Sequence, residues 1–161
     1  MSVFKSQFSR ALRAHPSDNA DIAFPNQIAG GTNTTATAFK LINSAALYIT
    51  KNVKTGDVVH NDTAGTAATV LTVDSETQLT LNANIFPTTG QVYAVYAMSS
   101  QTSMGNPGCN LYVGGTGNVS VVTIGGDIIT FNGVPAGTTL PIQVVKLRST
   151  GTTATLVNAL W

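Results

Sequence analysis

The stretch VSVVTIGGDIITFNGVPAG, residues 119–137, decides the fold class. Its β-branched and apolar residues come in short runs, separated by the turn signals Gly125-Gly126 and Pro135-Ala136-Gly137. Two adjacent glycines favour a tight hairpin, because the preferred two-residue turns need positive φ values that glycine adopts at little cost. We therefore predict three antiparallel strands in this part of the chain: Val119–Ile124, Asp127–Phe131 and Leu140–Leu147.

The segments on either side continue this β pattern. Gly114-Gly115-Thr116-Gly117 follows a short apolar run and predicts a hairpin turn into Val119. Between Ile142-Val144 and Val145-Leu147 the alternation changes phase, which indicates either a bulge or a strand buried on both faces.

The chain ends in a further strand pattern, Thr153–Trp161. Apolar residues occupy both of its faces: Val157, Ala159 and Trp161 on one, Leu156 and Leu160 on the other. A half-exposed strand would carry polar residues on one face. We therefore expect cover on both faces, from the domain core plus a partner or from two layers of the same domain. Trp161 would then be an anchor in a pocket.

Residues 29–106 also predict strands, separated by turn signals. The predicted strands are Ala45–Thr50, Val58–Val59, Thr69–Val73, Gln78–Leu81 and Tyr93–Tyr96. Gly30–Thr35 and Ser99–Gly108 are rich in small residues and are interpreted as linkers. The predicted fold is all-β, with two small antiparallel β-sandwich or barrel units and a short N-terminal arm or helix.

The N-terminus carries the only helix-like pattern. Phe4, Phe8 and Leu12 recur at every fourth position and would form one apolar stripe on a helix. Such a short helix needs a surface to lie on. That surface is the chain's own domain, a partner subunit or a membrane. The stripe, its basic neighbours and the last residue form the predicted interface with a partner: Phe4, Lys5, Phe8, Arg10, Leu12, Arg13 and Trp161.

The composition favours a protein that assembles. Of the 161 residues, 43% are hydrophobic and only 9% are charged, and the net charge is +1. Ordinary soluble domains contain about 25% charged residues. A surface so poor in charge is expected to be covered partly by protein. The small net charge gives no field for nucleic acid or an anionic membrane, so neither is predicted as a partner.

The titratable residues give no catalytic pattern. His15 and His60 are the only histidines, and a pair of His60 with Asp62 is interpreted as part of a turn at a strand end. Cys109 stands alone and is predicted to be a small buried thiol. No spacing typical of a metal site is present. We expect no enzyme activity, no cofactor and no metal.

The C-terminal third resembles a known family. LYVGGTGNVSVV (111–122), GGDIITFNGVPAGTTLPIQV (125–144) and RSTGTTATLVNALW (148–161) resemble, in this order, motifs of the spike base protein family of tailed phages and gene transfer agents. PSDNADIAFP (16–25) resembles the segment that usually precedes the first of these motifs.

In that family the two parts are close in sequence, whereas here residues 29–106 intervene. The intervening KTGDVVHNDTAGTAATVLTVDSETQLTLNANIFPTTGQVYAVY (54–96) is similar to a small β-module of phage structural proteins. The predicted organisation is an arm and first part of a base domain at 1–28, an inserted β-domain at 29–106 and the rest of the base domain at 107–161.

The resemblance implies a non-enzymatic virion protein on the outside of a tailed-phage capsid, at a head spike base or vertex. Its implied partners are the major capsid protein, copies of itself (a pentamer ahead of a trimer) and a fibre protein. It implies a location on the virion surface, after a stage in the host cytoplasm. Alternatives are a cement protein between capsomers, a tail or adaptor component, and a host-glycan-binding module using Tyr48, Tyr93 and Tyr96.

Overall fold

A computed structural model describes residues 8–98 and 106–161 of the chain, and these residues are all-β, with no helix among them. The strands are β1 (Ala11–Arg13), β2 (Gln27–Thr32), β3 (Lys40–Ile42), β4 (Val58–Asn61), β5 (Thr66–Ser75), β6 (Gln78–Leu81), β7 (Val92–Tyr96), β8 (Cys109–Gly115), β9 (Gly117–Thr123), β10 (Ile128–Val134), β11 (Thr138–Leu147) and β12 (Thr155–Leu160). Since no helix occurs in the described residues, none there is long and apolar enough to span a membrane.

The strands form two antiparallel sheets of six, which confirms the predicted fold class. The first sheet has the order β1-β12-β8-β11-β9-β10, and the second has the order β2-β7-β4-β5-β6-β3. The first sheet therefore combines the strand nearest the N-terminus with the C-terminal strands, and the second contains β2 to β7. The predicted domain boundaries at 28/29 and 106/107 stay a prediction.

Each sheet has its own apolar core. The core of the first sheet contains Leu111, Val113, Val121, Val144 and Leu147, all at most 1% exposed. The core of the second is built around two tyrosines and a phenylalanine, Tyr48, Tyr93 and Phe86, also at most 1% exposed. Alternating Val, Leu and Ala side chains supply most of the rest of both cores, because successive strand residues point to opposite faces.

Residues 14–24, called here the connecting segment, contact both sheets. Backbone N–H groups of Ser17 and Ile22 donate to the carbonyls of Leu147 and Val145 in β11, each at 2.8 Å. On its other side the Ser17 hydroxyl donates to the carbonyl of Ala67 in β5, at 2.7 Å. A small apolar cluster continues this contact, formed by Ala20, Ala23, Val58, Ala67, Ala94 and Tyr96. The connecting segment thus binds the two sheets together.

The prediction of a helix at the N-terminus is wrong for the residues that the structure describes. Ala11–Arg13 is a strand, paired with Leu160, Ala159 and Asn158 of β12. A spacing of four residues fits a helix, but a short helix has little stability by itself. Pairing with β12 satisfies the backbone of both strands, and this tertiary contact outweighs the local pattern. Phe4 and Lys5 lie outside the described residues.

Two further predictions are wrong. Gly30-Gly31-Thr32 belongs to β2 rather than to a linker, and Gly31 pairs with Tyr93 of β7. Ala45–Thr50 forms tight turns rather than a strand: Leu47 has a φ of +59°, and the Lys51 N–H donates to its carbonyl at 2.9 Å. These turns bury the Tyr48 side chain while Leu47 and Ile49 face outward.

The C-terminal turns follow the prediction except at one place. The hairpin between β9 and β10 is closed by the Gly126 N–H, which donates to the carbonyl of Thr123 at 3.0 Å. The predicted phase change in β11 is a bulge on both of its sides. Gly114–Gly117, however, is not a hairpin, because β8 and β9 both pair with β11, which lies between them. Gly115 ends β8, Gly117 begins β9, and Thr116 alone joins them; we call this junction the bend.

Candidate functional site

The two ends of the chain that sequence reasoning singled out lie side by side. The Ser9 N–H donates to the carbonyl of Trp161 at 2.6 Å, and the Trp161 N–H donates to the carbonyl of Arg10 at 2.9 Å. These bonds extend the β1–β12 ladder to the last residue of the sequence. The described part of the predicted interface is therefore one edge of the first sheet.

The side chains along this edge differ in their surroundings. Phe8 is 46% exposed, and Arg13 is exposed as well. The Arg10 guanidinium donates to the carbonyl of Pro25. Leu12 is half-buried against the small apolar cluster between the sheets. Phe8 and Arg13 are thus available to a partner, whereas Leu12 holds the strand in place.

Trp161 packs against its own chain. Its ring is half-buried on the core of the first sheet, with its centroid 5.8 Å from that of Phe24. Its Nε1 is buried, and no described residue accepts a hydrogen bond from it. Leu156 on the last strand is 53% exposed, so cover of both faces by two layers of the same domain is wrong at this residue, and cover by a partner stays a prediction.

The opposite edge of the first sheet exposes a group of isoleucines. The β9–β10 hairpin carries Ile124, Ile128 and Ile129 at exposures of 51%, 65% and 44%. We call these three residues the isoleucine tip. The edge strand β10 contains no charged residue along its length, Ile128–Val134. Natural edge strands usually carry charge, bulges or cover that prevent pairing with another chain. β10 has an irregularity between Phe131 and Val134, but its first four residues pair regularly with β9 and carry no charge.

A third feature lies where the connecting segment meets β4. The imidazole Nε2 of His15 is 3.0 Å from Oδ1 of Asp62, just after β4, and the His15 ring stands edge-on to the His60 ring with centroids 4.6 Å apart. One ligand atom from each of the three side chains lies within 4.8 Å of the other two. Imidazole nitrogens and carboxylate oxygens are common ligands of transition metals.

Burial sets the charge of this cluster. His60 is 2% exposed and lies between the rings of His15 and Tyr96. Burial, and secondarily the neighbouring His15, lower the pKa of His60 to about 3. Burial and the nearby Asp62 raise the pKa of Tyr96. His60 is therefore a neutral imidazole at neutral pH.

A cleft of about 540 Å³ opens beside the cluster. His15, Asp62 and Gly65 line one side, and Ala154 and Leu156 of the first sheet line the other. No serine, threonine or cysteine among the described residues forms a hydrogen bond with either imidazole. The arrangement offers three ligand atoms that could hold a metal ion.

Sequence reasoning missed this cluster. It considered a pair of His60 with Asp62, but Asp62 is bonded to His15, which the connecting segment carries to β4. The only signal in the sequence was that both of the chain's histidines lie next to predicted turns. Cys109, by contrast, is buried as predicted, and burial raises the pKa of its thiol to about 12.

Comparison with protein-family models, with curated proteins and with solved structures gives no significant match to this chain. The resemblance to the spike base proteins therefore remains a prediction from the quoted motifs.

Proposed function

We propose that this chain is a non-enzymatic structural protein on the outside of a tailed-phage capsid, at the base of a head spike on a vertex. The observation that carries the proposal is the apolar, uncharged edge strand β10 with its isoleucine tip. The motifs of the C-terminal third and the small number of charges support the same function.

The edge strand explains why the protein would assemble. Ile128 and Ile129 point to opposite faces of β10, and both are largely exposed, so a second chain that lies along this edge covers both. Burying apolar area contributes about 25 cal/mol per Å². The backbone groups along the free side of β10 would also gain partners from an added strand. Contact between copies through β10 therefore stabilises a closed oligomer.

The other edge of the same sheet is free for the capsid. Phe8 and Arg13 are exposed beside Trp161, and four strands separate β1 from β10. One edge can thus contact a sister subunit while the other contacts the major capsid protein. Several weak capsid contacts held in one oligomer bind far more tightly than one contact alone.

Co-sedimentation with capsids of the phage that encodes the chain tests this function. Wild-type protein should pellet with the capsids. Ile128→Asp places a charge in the contact between copies, so we expect retention on capsids to fall by at least about tenfold through lost multivalency.

The matched control is Ile49→Asp, which changes an isoleucine that is 56% exposed in a turn of the second sheet. This variant should pellet like the wild type. Wild-type protein that remains in the supernatant would overturn the proposed function. Equal retention of Ile128→Asp and wild type would show that β10 is not the contact between copies.

A further inference from the structure

The capsid function makes no use of His15, His60 and Asp62, although the fold brings them together from distant parts of the sequence. The connecting segment carries His15 and is bonded to β11 of the first sheet. His60 is in β4 of the second sheet, and Asp62 follows it. A ligand held by all three residues would join the connecting segment to the second sheet through their side chains.

The separations suit a small cation. Zinc binds imidazole nitrogen at about 2.0–2.1 Å in tetrahedral geometry, which places its ligand atoms about 3.3 Å apart. Nε2 of His15 and Oδ1 of Asp62 are already 3.0 Å apart. The two separations that involve His60 are at most 4.8 Å, so shifts of up to about 1.5 Å bring the three atoms to this spacing. Asp62, whose side chain is 43% exposed, can move towards His60, and a rotation of a histidine ring closes the gap between the two imidazoles.

The surroundings of His60 also suit a ligand of fixed orientation. Its imidazole is buried and lies between the rings of His15 and Tyr96, which hold it in place. The carboxylate of Asp62 would offset part of the charge of a bound ion.

From this geometry we propose that His15, His60 and Asp62 bind one divalent transition-metal ion, with zinc as the ion that the two imidazoles and one carboxylate fit best. The cleft is lined by His15 and Asp62, so a water molecule in it would supply the fourth ligand from that side. The ion clamps the connecting segment to β4. Because it binds only the folded chain, it stabilises the junction of the two sheets.

Zinc titration of the untagged, chelator-treated full chain tests the proposal. We expect one zinc ion per chain by competition with a chromophoric chelator, and a higher melting temperature with zinc than without. His15→Asn and Asp62→Ala should each weaken binding by at least about tenfold and lose the rise in melting temperature. Both alter partly accessible side chains, so these variants are expected to fold. Asp127→Asn, a change in the β9–β10 hairpin, is the matched control and should bind like the wild type.

X-ray absorption of the zinc-loaded wild type gives a readout that needs no variant. Two imidazole ligands, with oxygen completing the shell at about 2.0–2.2 Å, would support the proposal. It would be overturned by a shell with fewer than two imidazoles, by unchanged affinity in His15→Asn, or by no binding at millimolar zinc.

Discussion

The Trp161 side chain is only partly buried by its own chain. Because its ring is half-buried on Phe24 and the first core, Trp161→Ala should lower the free energy of unfolding by about 2 kcal/mol, below the ~3–5 kcal/mol of a fully buried tryptophan. Trp161→Phe should cost about 1 kcal/mol or less, since Nε1 has no partner among the described residues. Urea denaturation measures both. A cost below about 0.5 kcal/mol for Trp161→Ala would show that the ring does not pack there.

The buried imidazole of His60 makes stability depend on pH. Its pKa is about 3 in the folded chain, against 6.5 as the ordinary value. The unfolded chain therefore binds more protons between these values, so stability is complete above about pH 6.5 and falls as the pH is lowered towards 3. The titratable side chains around this ring are His15, Asp62 and Tyr96.

In chelator-treated protein, we expect a loss of about 2 kcal/mol between pH 7 and pH 5, measured by urea denaturation at each pH. The same loss in His60→Asn would assign the pH dependence to other groups.

Among the strands, the bend between β8 and β9 depends on a close approach of backbone. A Cβ on Gly117 would lie 2.6 Å from Cα of Ala154 and would also overlap its backbone nitrogen. Gly117→Ala should therefore destabilise the protein by more than about 3 kcal/mol, or prevent folding. Gly125→Ala is the control, because its nearest neighbour is an Asp127 carboxylate oxygen at 3.5 Å. Thermal melts of the two variants should differ clearly. Equal melting temperatures would contradict the close approach of Gly117 to the backbone of Ala154.

The same elements show what the sequence could and could not predict. The strands and turns from Val119 to Leu147 were predictable, because glycine and proline signals separate β-branched runs. The strand at Ala11–Arg13 was not, because only β12 gives its backbone a partner. Gly114–Gly117 has the residues of a hairpin but joins two strands that share β11. Local pattern identifies a turn, but strand order depends on contacts far apart in sequence.

The candidate sites show the same limit. Sequence reasoning marked the two ends of the chain but did not show that they pair with each other. It gave no sign that His15 meets His60, because the connecting segment lies between the sheets through contacts with β5 and β11. The exposure of the isoleucine tip could not be predicted from the sequence either, since isoleucines in a strand pattern are usually core residues.

The molecule as a whole combines few charges with one apolar edge. With 9% charged residues and a net charge of +1, little electrostatic repulsion opposes association. Contact between β10 of one copy and a different surface of the next is heterologous, and such contacts form a ring when the rotation between copies closes. A pentamer suits a vertex, whereas a trimer would favour a cement protein between capsomers.

Native mass spectrometry of the untagged wild-type chain at micromolar concentration tests the central claim most directly. We expect one closed oligomer, a pentamer ahead of a trimer, which Ile128→Asp converts to monomer while Ile49→Asp leaves it intact. A wild-type chain that is monomeric throughout this range would contradict assembly through β10.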